Sequence, residues 1–212
     1  MRLYAMVTAA LGWFALTLQC YLTVSLSIAN GKTLIARLVT FFRYFTILTN
    51  LLVALILTRS AWRPSARRGA FLSRAVVQSG TAVYTALVGI VYALLLHQIW
   101  NPQGLQKLAD VLLHDLLPIL YAAYWLIFVS KKSMHWTRAL WWLLYPAGYF
   151  AYTLLRGAAS GWYPYPFLDA NALGYSRVSA NAGMLLAAFL LTGLLLVVCS
   201  RWVEHKAGSD LR

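Results

Sequence analysis

The chain has 212 residues, of which 61% are hydrophobic and 11% charged, with a formal net charge of +13. A soluble domain carries roughly 25% charged residues, so the composition excludes an ordinary water-soluble globule. The cations sit in short connections between long apolar runs, a distribution that sets membrane topology and argues against a nucleic-acid partner.

A hydrocarbon core of roughly 30 Å takes about 20 residues of helix. Six apolar runs approach that length, near residues 3–27, 39–58, 75–96, 108–129, 140–155 and 178–200, the fifth being the shortest. Barrel strands are about 10 residues long and alternate, and nothing here alternates. The expected fold is an all-α membrane protein, a bundle of six transmembrane helices forming one domain over residues 1–212.

The first run is long enough to span and lacks an A-x-A cleavage site, so it reads as a helix rather than a removable signal. Between runs two and three lie Arg59, Arg63, Arg67, Arg68 and Arg74. Lys131, Lys132 and Arg138 follow run four, and Arg201, Lys206 and Arg212 follow run six. The other connections hold Lys32 and Arg37, then Lys107, then Arg156 and Arg177. This asymmetry puts both termini in the cytoplasm. Cys20 and Cys199 then fall in opposite leaflets, too far apart for a disulfide.

Ionisable and polar residues inside a span are costly and mark candidate functional sites. In run two, Thr40-Phe41-Phe42-Arg43-Tyr44-Phe45-Thr46-Ile47-Leu48-Thr49-Asn50, a continuous helix brings Arg43, Thr46 and Asn50 within about 60° of arc. Thr46 then lies roughly 12–15 Å below the outer end of the span. In run four, His114 has Asp110 one turn before it on the same face and Asp115 next to it in sequence, about 100° away. A carboxylate beside an imidazole can fix its tautomer and make it a base. Pro118 removes a backbone hydrogen bond just beyond. A bland reading remains beside this one: Thr46, Thr49 and Asn50 as hydrogen-bonding glue, and a His–Asp pair that only locks helices together.

Towards the end of run five, Tyr149, Tyr152 and Arg156 read as an interfacial aromatic belt with a cationic anchor. The loop Gly161-Trp162-Tyr163-Pro164-Tyr165-Pro166-Phe167 is denied a helix by its prolines and is suited to the membrane interface. Ser179 and Asn181 read as packing residues of run six. His97 and His114, both in the outer half, leave a haem-binding redox protein as one alternative. A small transporter or lipid-binding protein is another, with Arg43 and Asp115 as an ion pair lining a path. Neither the resident-metal nor the organic-cofactor motifs are apparent, so no cofactor is expected.

Three stretches, Phe41–Asn50 (FFRYFTILTN), His114–Pro118 (HDLLP) and Trp162–Asp169 (WYPYPFLD), resemble the androgen-induced and androgen-dependent (ADTRP-like) family of multi-pass transmembrane threonine hydrolases, in what looks like a bacterial form. The resemblance implies an enzyme that cleaves fatty acid esters of hydroxy fatty acids. It implies Thr46 as nucleophile, with Thr49 and Thr40 as alternatives, and His114 as base. On that reading Asp110 or Asp115 supports the imidazole, and Arg43 or Asn50 stabilises the oxyanion. Arg43, Trp162, Tyr165 and Phe167 bind the lipid substrate, and the site faces outward from a bacterial cytoplasmic membrane.

Overall fold

In the computed structural model, residues 1–28, 33–62, 71–132 and 134–209 are described, without the side chains of 26–28 and 206–209. Lys32, Arg63, Arg67, Arg68 and Arg212, and the Lys206 side chain, therefore lie outside the described residues. The chain folds as two compact units, residues 1–130 and 131–212. All regular structure among the described residues is helical.

The first unit is built from α1 (Arg2–Ile28), α2 (Leu34–Phe41), α3 (Phe45–Trp62), α4 (Ala75–Val91), α5 (Gly104–Val111) and α6 (Leu117–Phe128). Helix α4 runs on into a π turn over Tyr92–Leu96. A second π turn, Leu112–Leu116, joins α5 to α6 without a break. Helix α1 buries Ala5, Thr8, Ala9, Gly12, Ala15 and Leu16, a stripe at helical spacing made mostly of small residues. In a bilayer no hydrophobic force draws helices together, so close backbone approach is what binds them. A Cβ on Gly12 would touch Ala54 of α3 at 3.5 Å.

Helix α3 is the hub. Val53, Ala54, Ile56 and Leu57 are fully buried, and burial on several faces marks a central helix. Side-chain hydrogen bonds fix the directions around it. Arg2 Nε donates to Ala61 O at 3.0 Å and Trp13 Nε1 to Thr58 Oγ1 at 3.0 Å, so α1 runs antiparallel to α3. Asn50 Nδ2 donates to Leu113 O at 3.2 Å and Tyr124 Oη to Ser60 Oγ at 2.8 Å, so the chain through α6 runs parallel to α3. Trp125 Nε1 donates to Ser79 Oγ at 2.8 Å and Tyr121 Oη to Gln78 O at 3.2 Å, which aligns the start of α4 with the end of α6.

The second unit contains α7 (Thr137–Trp142), α8 (Leu144–Ser160) and α9 (Ala170–Ser209). Gly193 of α9 meets α7 closely: a Cβ there would lie 3.3 Å from Ala139 and from Trp142. Gly161 ends α8 in the left-handed conformation, φ 67°, with its N–H donating to Gly157 O at 2.8 Å, the usual glycine helix stop. Asp169 caps the start of α9, its Oδ1 accepting from the N–H groups of Asn171 and Ala172 at 2.9 and 3.3 Å.

Among the described residues, five helices are long and apolar enough to cross a membrane: 2–25, 45–62, 75–96, 104–128 and 170–205. Many of their large apolar side chains are exposed, among them Phe14, Ile119, Ile127, Met184, Leu191 and Leu195, as lipid contact requires. Two expectations change. The run at 140–155 is not one uninterrupted helix. It breaks at Leu143 into α7 and α8, because Pro146 lacks the N–H that would bond the preceding turn. The run at 39–58 breaks as well. Helix α2 ends at Phe41, Phe42 and Arg43 form a turn, and α3 starts at Phe45. Aromatic and β-branched residues lose side-chain freedom in a helix. The run from Thr40 to Phe45 therefore gives up little when tertiary packing breaks it.

Candidate active site

The break before Phe45 relocates the residues of this segment. Thr46 stands in the first turn of α3 rather than deep in a span, and Arg43 stands in the preceding turn rather than on a stripe with Thr46 and Asn50. Backbone bonding in this turn begins with Ile47 and Leu48, whose N–H groups donate to Tyr44 O at 3.1 and 3.2 Å. The Thr46 N–H precedes them, among the amides that a helix start leaves without an intrahelical acceptor.

Thr46 Oγ1 lies 3.3 Å from His114 Nε2. His114 Nδ1 lies 3.1 Å from Asp110 Oδ1 and 3.1 Å from Asp110 O. Both neighbours of Nδ1 are acceptors, so Nδ1 carries the proton of the neutral ring and Nε2 presents its lone pair to the threonine hydroxyl. Thr46 and Asp110 are buried, at 8% and 5% exposure. His114 is partly accessible, its side chain 16% exposed.

Asp110 is therefore the carboxylate that orients His114, as its place one turn earlier suggests. Asp115 is exposed and stands on another side of the π turn. Of the three candidate threonines, Thr46 is the one against an imidazole. Thr40 Oγ1 donates to Ala36 O at 2.8 Å within α2, and Thr49 is fully buried in the interior of α3.

Asn50 differs from its expected role. Its Nδ2 donates to Thr46 O at 2.9 Å and to Leu113 O at 3.2 Å. An amide nitrogen has two hydrogens, and both are committed to these carbonyls, so Asn50 has no donor for an oxyanion. It ties the residue carrying the hydroxyl to the residue preceding the imidazole, which sets the separation of Thr46 and His114. Its Oδ1 is buried without a hydrogen-bond partner.

Tyr92 was missed by the sequence reading. Its hydroxyl donates to Asp110 Oδ2, and its ring stacks on His114 with centroids 4.2 Å apart and planes at 15°. It thus holds both the carboxylate and the flat face of the imidazole. Tyr92 and His114 each belong to a π turn, a local widening that recurs at functional sites. The turn around His114 has a visible cause. Pro118 has no N–H to offer His114 O, and Leu117 N bonds back to Leu112 O. Helix α4 comes close beside it, and a Cβ on Gly89 would lie 3.2 Å from His114 O. Nothing in the sequence reading of Tyr92 signalled this, since a tyrosine in an apolar run reads as core.

His97 is exposed and meets the edge of Tyr92, with ring centroids 5.8 Å apart. Both nitrogens of His114 have neighbours, Asp110 at Nδ1 and Thr46 at Nε2. An open apolar groove of about 540 Å³ runs between α1 and α6. Leu11 and Leu116, among its lining residues, also pack on the core cluster that contains Ile47, next to Thr46 in sequence.

The aromatic loop belongs to the second unit. Tyr165 and Phe167 stack at 5.1 Å, and Tyr149 meets Tyr165 at 6.5 Å. Trp162 is exposed. Asn181 Nδ2 donates to Phe167 O at 2.8 Å and Asn171 Nδ2 to Gly161 O at 2.9 Å, pinning the loop to α9. No family model, curated protein or solved structure matches the chain.

Proposed function

We propose that this protein is an intramembrane ester hydrolase with Thr46 as nucleophile and His114 as base. The observation that carries the reading is the linear arrangement Thr46 Oγ1–His114 Nε2, His114 Nδ1–Asp110 Oδ1, at 3.3 and 3.1 Å. A hydroxyl is a weak nucleophile until a base takes its proton, and the base needs a third group to fix its tautomer. Here each group touches the next. The 3.3 Å separation is at the long end of a hydrogen bond, as resting sites often are before substrate tightens them.

In the proposed reaction Thr46 Oγ attacks the ester carbonyl carbon while its proton passes to His114 Nε2. The tetrahedral oxyanion is received by the Thr46 N–H at the positive end of α3 and by Arg43 in the turn before it. Collapse expels the alcohol oxygen, which takes the proton from Nε2. Water then attacks the acyl-threonine by the same route, releasing a carboxylic acid. The substrate class is that of the threonine hydrolases the sequence resembles, fatty acid esters of hydroxy fatty acids, with the apolar groove between α1 and α6 suited to an acyl chain. Trp162, Tyr165 and Phe167 supply an aromatic surface for the same kind of ligand.

On this reading the protein is an integral protein of a bacterial cytoplasmic membrane, with α7 and α8 providing a sixth crossing and both termini cytoplasmic. Within the first unit, Arg2, Arg59 and Arg74 lie at one end of the bundle, and Thr46 and His114 are displaced toward the other. The positive-inside rule then turns the reactive end outward.

The test is labelling of the purified protein in detergent with a fluorophosphonate probe, alongside hydrolysis of a hydroxy-fatty-acid ester. Wild type is expected to label and turn over, and Thr46→Ala and His114→Ala to lose both. Full turnover in both variants rules the assignment out. Loss in Thr49→Ala but not in Thr46→Ala moves the nucleophile and keeps the class.

A further inference from the structure

Buried polar side-chain atoms without a hydrogen-bond partner are few in a native fold, and each needs an explanation. In this protein two of them, Thr153 Oγ1 and Arg156 Nε, stand one turn apart in the second unit, and a third, Tyr163 Oη, has the Tyr175 hydroxyl near it but no hydrogen bond of normal geometry. Thr153 is 3% exposed and Tyr163 7%.

Their grouping follows from the path of the chain. Tyr149, Thr153, Arg156 and Gly157 are spaced i, i+4, i+7 and i+8 on α8 and so share one face. The loop after α8 folds back along that face. Tyr163 packs on Gly157 so tightly that a Cβ there would overlap its ring, and Tyr165 lies against Tyr149. Thr153 is one turn from each of these two contacts and is buried. The missing side chain of Gly157 is the space that Tyr163 occupies.

The three groups share one chemistry. Arginine only donates hydrogen bonds, and the threonine and tyrosine hydroxyls can donate. Burial raises the Tyr163 pKa, and neighbouring Tyr175 and Asp169 raise it further, so the phenol stays a neutral donor. The Asp169 carboxylate is engaged in capping α9 through the Asn171 and Ala172 amides. Tyr165, stacked on Phe167, meets Tyr149, which stands one turn before Thr153 on α8. Donors with one fixed cation next to an aromatic wall fit an acceptor-rich anionic head attached to an apolar tail.

We infer that the face of α8 bearing Thr153 and Arg156, closed by Tyr163, is a binding site for the anionic head of an amphiphile, a carboxylate or a phosphodiester. The site shares the Tyr165 and Phe167 rings with the aromatic surface of the hydrolase reading but uses none of its reacting groups, so the two stand or fall separately. A charged hydrogen bond to the head makes Arg156 the main determinant of affinity, and Thr153 a second one.

The experiment uses the full-length protein in detergent and measures binding and thermal shift with three probes of similar chain: sodium oleate, phosphatidylglycerol and uncharged monoolein. Arg156→Gln is expected to weaken binding of the preferred anionic probe by about tenfold or more. Thr153→Val is isosteric and removes a buried hydroxyl that has no hydrogen-bond partner. It is expected to raise the melting temperature without ligand while reducing the shift with ligand. Preference for oleate identifies a carboxylate head, and preference for phosphatidylglycerol a phosphodiester. Binding of monoolein as tight as either, no binding by any probe, or a lower melting temperature for unliganded Thr153→Val overturns the inference. Where Arg156→Gln does not fold, Thr153→Val decides.

Discussion

A threonine hydroxyl and an imidazole are common in membrane interiors as helix glue, so what distinguishes Thr46 and His114 is how much is arranged around them. Asp110 faces Nδ1, Tyr92 holds the other carboxylate oxygen and stacks on the ring, and Asn50 spans the two backbones. Tyr92→Phe keeps the stack and removes the bond to Asp110. It is expected to lower kcat about tenfold, a loss of about 1.4 kcal/mol in transition-state stabilisation, with KM unchanged. Steady-state kinetics on a hydroxy-fatty-acid ester checks this, and an unchanged kcat would reduce Tyr92 to packing. Asn50→Leu removes the side-chain donor from the Leu113 carbonyl and from the Thr46 carbonyl, the latter keeping its helical N–H partner. A buried group losing its partner costs about 1–3 kcal/mol, so this variant should melt at lower temperature as well as turn over slowly. A residue acting only on the oxyanion would change rate and leave the melt alone.

At the scale of elements, glycines mark where helices need to touch. Gly89 faces His114 O, where an added Cβ would sit at 3.2 Å, whereas Gly12 faces Ala54 at 3.5 Å, an ordinary contact. Gly89→Ala is therefore expected to push α4 from the π turn and impair turnover, and Gly12→Ala to be tolerated. Parallel melts and assays of the two variants distinguish these outcomes. Lys131, just beyond α6, is buried, and burial pushes its ammonium down from the usual 10.5 to about 8. Between those values the unfolded chain binds more protons than the folded one, so this group adds stability as pH rises through that window and withdraws it as pH falls. Melting temperature should rise from pH 7.5 to 9.5 more in wild type than in Lys131→Met.

For the whole molecule, five apolar helices of spanning length suffice to make this an integral membrane protein. The proposed orientation adds a sixth crossing by α7 and α8. Helix α8 alone has 17 residues, about 26 Å at a 1.5 Å rise, short of a full span without its neighbour. Cysteines placed singly at Arg74, Gln103, Lys132 and Ser160 in an otherwise cysteine-free protein test this with an impermeant maleimide. Gln103 and Ser160 should label from outside and Arg74 and Lys132 only after permeabilisation. Labelling of Ser160 from the inside alone would reduce the crossings to five and place the C-terminus outside.

Run length and composition by themselves determined that this chain is helical and lives in a bilayer, because covering a hydrocarbon core and satisfying the backbone within it are local demands. Local spacing also sufficed to place Asp110 beside His114, four residues apart on one helix. It did not suffice for the break at Phe42 and Arg43. No proline or glycine marks that turn, and packing of α2 and α3 against α1 decides it. Nor did it suffice for the split at Leu143, since a proline such as Pro146 can stand in a helix with or without breaking it. The contacts of Thr46 with His114, of Asn50 with Leu113 and of Tyr92 with Asp110 join positions 68, 63 and 18 residues apart. Which side chains meet at such distances depends on how the helices pack, and that is what the tertiary structure settled.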